Sequence, residues 1–170
     1  MQKRIVGLIF LFVFYLLSNL FAINKIDSLK VELTNVKNDY EKADLLIEIG
    51  KNCVRQSDFE NLNIYGKELL ELSKNLNYTE GLARANFFLG YFDIHKKDYQ
   101  NASEKLEKSL DYLNNNLENE DDYKILILLA YAYKKMNTYD KAIEHNKILL
   151  DIYKKENNQK RVAYVYGELG

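Results

Sequence analysis

The sequence predicts an all-α chain, a solenoid of antiparallel helical hairpins repeating about every 40 residues. Three observations carry this expectation. Proline is absent and glycine numbers seven in 170 residues, so the residues that punctuate strands and tight hairpins are scarce, while Leu, Lys, Glu and Tyr abound. Gly50, Gly90, Ala130 and Gly170 stand 40 residues apart, preceded by Ile49, Leu89, Leu129 and Leu169. The stretches Gln56 to Asp58, Lys96 to Asp98 and Met136 to Thr138 are polar and too short for anything but a tight turn between antiparallel helices.

Taken in chain order, the first element is of another kind. Lys3 and Arg4 precede an apolar run from Ile5 to Leu17, followed by Ser18, Asn19, Leu20, Phe21 and Ala22. That basic start, apolar middle and small final residue predict a secretory signal peptide over 1–22. The alternative is an uncleaved anchor, because 5–23 is an apolar run diluted only by Ser18 and Asn19. Next, Ile26, Leu29, Leu33 and Val36 form a short apolar stripe suited to an N-terminal capping helix over 23–40.

The repeat domain is expected over 41–170. Its hairpins begin at Asp39 to Ala43, at Thr79 to Ala83 and at Asp121 or Asp122, with acidic or hydroxyl side chains available to cap free backbone N–H groups. Second helices open at Phe59, Tyr99 and Tyr139, followed three places on by Leu62, Ala102 and Ala142. Leu70, Leu110 and Leu150 keep the same stripe further along. Lys160 to Gly170 supplies only the first half of a fourth unit, leaving Val162, Ala163, Tyr166 and Leu169 apolar with nothing after them to cover them. The expectation is a domain truncated within a fourth repeat, whose end frays or hides its surface by self-association.

Counting Ala43, Ala83, Tyr123 and Ala163 as first places puts a small residue at place eight, an aromatic at place seventeen and often alanine at place twenty. This pattern resembles the tetratricopeptide repeat. The resemblance implies a right-handed solenoid in which Gly50, Gly90 and Ala130 mark where each first helix passes close to its second. Leu62 departs from the expected alanine, and places twenty-four (Gly66, Leu106, Asn146) and twenty-seven (Leu69, Ser109, Leu149) match poorly. The family's usual repeat has about 34 residues; six more imply roughly 9 Å of added helix rise.

Few residues suggest chemistry. The 24 basic and 25 acidic residues are interspersed, which gives no electrostatic reason to expect nucleic acid. Cys53 follows Ile49 by one helical turn and reads as a core thiol. His95 and His145 lack a carboxylate and nucleophile in a hydrolase spacing, and they read as surface or helix-end residues. The acidic cluster Glu118, Glu120, Asp121 and Asp122 lacks the glycine and alternating oxygens of a calcium loop and reads as helix initiation. Catalytic residues, metal ligands and cofactors are therefore not expected, and an enzyme ranks last among the readings.

The resemblance also implies a groove lined by the first helices. Its places fall on Lys51 and Arg55, on Arg84, Phe87, Tyr91 and His95, and on Lys124, Tyr131 and Lys134. Together they describe an apolar and aromatic floor with basic edges, suited to a protein or peptide of acidic character. Packing against the neighbouring hairpin is the alternative role for Tyr91 and Tyr131. Arrays of this kind behind an export signal look like the sensory or interaction parts of bacterial membrane signalling proteins. That implies export to the bacterial periplasm or cell envelope, with membrane anchorage through 5–23 or through a segment beyond this sequence. A scaffold subunit assembling exported complexes is the alternative.

Overall fold

Apolar residues at three- and four-residue spacing wind the described residues into eight α-helices and no strand. The computed structural model describes residues 25–114 and 116–169, so the expected signal peptide or anchor lies outside the described residues, as does Gly170. The helices are α1 (25–35), α2 (Asp39–Gln56), α3 (Phe59–Leu76), α4 (Thr79–Lys96), α5 (Tyr99–Tyr112), α6 (Glu120–Lys135), α7 (Tyr139–Lys155) and α8 (Gln159–Leu169). Among the described residues no helix is long and apolar enough to cross a membrane.

Helix ends recur more often than the 40-residue period suggests. Ser57, Asn77, Lys97, Asn137 and Asn157 all adopt the left-handed conformation and stand 20 residues apart, apart from the gap between Lys97 and Asn137. After each one the next backbone N–H reaches five residues back: Asp58 to Cys53, Tyr78 to Ser73, Asp98 to Asp93, Thr138 to Tyr133 and Asn158 to Tyr153, at 2.9 to 3.0 Å. This closure satisfies carbonyls that a helix end leaves open, and asparagine tolerates the conformation better than most side chains. The starts are less uniform. Asn38 caps α2 by accepting from the N–H groups of Tyr40 and Glu41, and Asn119 caps α6 by accepting from Asp121 and Asp122. The caps expected from acids or hydroxyls at these starts are thus asparagines just upstream, and Tyr78, the residue before α4, gives it no side-chain cap.

Connections of two or three residues force neighbouring helices to run antiparallel, except for the longer 113–119 segment between α5 and α6. Every helix from α2 to α8 packs on its immediate neighbours; α2 also meets α4, and α4 meets α6, whereas α8 packs closely on α7 alone. The core runs through these layers as one cluster containing Leu46, Ile49, Leu62, Phe88, Leu106, Leu126, Leu149 and Val165. Ile26 is buried against it and Leu29 and Leu33 are half-buried, so α1 covers the first hairpin.

The small residues act at the crossings. A Cβ on Gly90 would sit 2.8 Å from Leu106 Cγ of α5. At Gly50 the nearest obstacle is instead the Phe88 ring from α4, 2.2 Å away, so the close approach there admits an aromatic ring of the next hairpin rather than α3. Ser109 sits at a place the repeat pattern did not explain; its Oγ donates to the Ala83 carbonyl at 2.8 Å and ties α5 to α4.

Candidate binding groove

The alternate helices α2, α4, α6 and α8 present their residues to a series of clefts. One, of about 270 Å³, is lined by Val54, Arg55, Phe87, Tyr91, Lys124, Ile127 and Leu128. A second, of about 440 Å³, lies toward α8 and is lined by Ile94, Ile127, Leu128, Ala130, Tyr131, Asn146, Leu149, Tyr164 and Glu168. Ile127 and Leu128 border both, so the two clefts share one apolar ridge on α6.

The aromatic residues are held by rings of the preceding hairpin. Tyr91 is half-buried, stacked on Phe87 at 6.3 Å and met edge-on by Phe59 at 5.6 Å. Tyr131 is 41% exposed and meets Tyr99 edge-on at 5.9 Å, with Lys135 Nζ 5.3 Å from its ring centre. Both tyrosines therefore pack against a neighbouring helix and border a cleft, combining the two roles open to them in the sequence. His95 is exposed and stacks on Phe59 at 3.8 Å, where it lines neither cleft.

The basic edge differs from expectation. Arg84 is only 8% exposed, and its Nη1 donates to Asp122 Oδ1 at 2.6 Å, with Asp122 only 2% exposed. Its charge is neutralised inside the protein, and Asp122 serves this pair rather than helix initiation alone. Lys124 donates to Asp121 at 2.7 Å, a bond that holds the Asp121 carboxyl below the usual carboxylate range against the opposing effect of burial, with Arg55 and Lys51 adding to it. Lys134 donates to Glu168 of α8 at 3.0 Å and borders neither cleft. Among the described residues Lys51 and Arg55 form no ion pair, although both act at longer range on Asp121, so the positive edge contracts to one end of the groove beside α2. Lys51 faces a crevice shared with Arg84, Phe87, Lys124 and the carboxylate of Asp121.

Sequence reasoning missed Leu128, Asn146, Leu149 and Glu168 as cleft residues. Asn146 carried a signal, since it fills a place where the preceding unit has the buried Leu106. Burial pushes the Cys53 thiol up to about 11, with Asp58 adding to the shift, which leaves an inert core thiol at neutral pH. His145 is half-buried against Tyr133, and burial lowers its imidazole pKa. No group of three or more His, Cys, Asp and Glu side chains is placed to hold a metal among the described residues. What the groove offers is shape, apolar area and charge at one end. No protein-family model matches the chain, and no curated protein matches it.

Proposed function

We propose that this chain is a non-enzymatic binding module, a right-handed solenoid of tetratricopeptide-like hairpins that holds an extended peptide segment with apolar and acidic side chains. The observation that carries the reading is the run of two apolar clefts joined at Ile127 and Leu128, with Arg55 lining one of them, Lys51 in the adjoining crevice, and neither cation in an ion pair among the described residues. Apolar side chains would supply contact area along the floor, and a carboxylate would meet the cations at the α2 end. The 20-residue recurrence of left-handed helix ends supports the repeat reading, since it makes each helix of a hairpin one structural unit. By resemblance, the module serves as the sensory or interaction part of an exported bacterial signalling protein.

Selection from a random-peptide display library tests the reading. Recovered peptides are expected to combine acidic and large apolar residues. In calorimetry of the best binder, Lys51→Gln with Arg55→Gln should flatten the salt dependence, and Tyr91→Ala should cost about 2 kcal/mol of affinity. Undiminished binding by these variants, with native helicity, would place the partner on another face.

A further inference from the structure

One polar side chain of the groove has no hydrogen-bond partner within the described protein. Asn146 is 8% exposed, lines the larger cleft, and its side-chain amide makes no hydrogen bond among the described residues. The other buried helix-interior asparagines behave differently: Asn52 Nδ2 donates to the Glu48 carbonyl at 2.8 Å and Asn86 Nδ2 to the Leu82 carbonyl at 2.7 Å. The amide opens onto the cleft, where water can reach it, so an occupant that displaces this water must replace its hydrogen bonds or lose affinity.

The cleft around this amide has a defined chemistry. It exists because α8 packs on α7 without the close approach to α6 that α2 makes to α4. Its lining includes Tyr131 from α6 and Tyr164 from α8, together with Leu149 and Ile94. Glu168, the charged residue in its lining, is paired with Lys134 at 3.0 Å, and Lys135 lies over the Tyr131 ring. With Glu168 already paired, a buried charge would find no free counter-ion in the lining, so the complementary group is neutral. A space of about 440 Å³ with aromatic walls is filled better by a ring than by a short aliphatic chain.

We infer that this cleft is a specificity pocket for a tyrosine side chain of the bound segment. The ring lies between Tyr131 and Tyr164, and the phenol hydroxyl completes the Asn146 amide. The inference takes the groove reading as its premise, because the shared ridge of Ile127 and Leu128 makes the pocket continuous with the rest of the groove. An amide offers both a donor and an acceptor, and a phenol hydroxyl answers with both.

The test titrates N-acetyl-tyrosinamide and N-acetyl-phenylalaninamide into isotopically labelled protein by two-dimensional NMR. Each probe needs only the pocket, so the result is independent of whether library peptides bind along the groove. The tyrosine amide should bind about fivefold tighter or better, the worth of one hydrogen bond, and shift the Asn146 side-chain amide resonances. Asn146→Ala breaks no hydrogen bond among the described residues and improves helix propensity, so it should fold normally while the preference falls to nearly equal binding. Tyr164→Ser, at a 56% exposed position, should weaken both probes together. Equal binding of the two probes to the natural protein, shifts elsewhere than this cleft, or a preference that survives Asn146→Ala would each overturn the assignment.

Discussion

Gly50 and Gly167 show how differently one missing methyl group can matter along the same chain. Both sit inside helices, where alanine is worth roughly 1 kcal/mol more than glycine in intrinsic propensity. At Gly167 nothing lies within 4 Å of an added Cβ, so Gly167→Ala should stabilise by a few tenths to about 1 kcal/mol. At Gly50 the added Cβ would stand 2.2 Å from a ring carbon of Phe88, itself only 1% exposed and unable to retreat. Gly50→Ala should therefore destabilise by about 1–3 kcal/mol despite the gain in propensity. Urea midpoints of the two variants decide the matter, and a stabilised Gly50→Ala protein would show that the ring has room to move. Gly50 was legible as a crossing residue from its recurrence with Gly90 and Ala130. The identity of its neighbour was not, because the pattern ranks positions along one helix and is silent on which helix contributes the ring.

Between elements, the 113–119 connection and the α4 to α6 contact are held by one carboxylate. Asp122 Oδ1 accepts from Arg84 of α4, while its Oδ2 accepts from the Glu118 backbone N–H at 3.1 Å. Removing one member strands a buried charge, so Asp122→Leu or Arg84→Met should cost about 3–5 kcal/mol. The double variant should recover most of that loss, since apolar groups of similar size can replace a buried pair at little net cost. Equilibrium unfolding of the three variants forms a double-mutant cycle. Simple addition of the two losses would mean that the side chains act separately. The sequence placed Arg84 on the groove-facing side of α4, and it does border a crevice there. Its neutralisation escaped notice because the partner lies 38 residues away, within an acidic cluster that helix initiation already explained.

At the scale of the molecule, phenol hydroxyls fasten segments 26 to 34 residues apart in sequence. Tyr78 donates to Asp44 at 2.9 Å, Tyr123 to Glu156 at 2.8 Å, and Tyr133 to Glu107. Burial and then the Asp44 bond push Tyr78 up to about 12, and the Glu156 bond followed by burial does the same for Tyr123. An acid whose pKa is raised by folding is held in its neutral form. Its contribution is complete below the unfolded value near about 10 and disappears as the pH climbs toward the folded value. Stability should therefore fall steeply between about pH 10 and 12, and Tyr123→Phe should flatten that fall. Urea midpoints followed alongside tyrosinate absorbance test this, and a midpoint indifferent to alkali would sink it. Helices, their pairing and the apolar stripe were determined by the sequence alone, since spacing and interruption are local properties that repeat at a fixed interval. Which cations stay outside ion pairs, Lys51 and Arg55 rather than Arg84, Lys124 and Lys134, was decided only by tertiary structure, as was the cleft onto which Asn146 opens. Arg84 and Lys134 find acids 38 and 34 residues away, and the cleft depends on how far α8 stands from α6; these distances are set by how the helices stack, which no single stripe encodes.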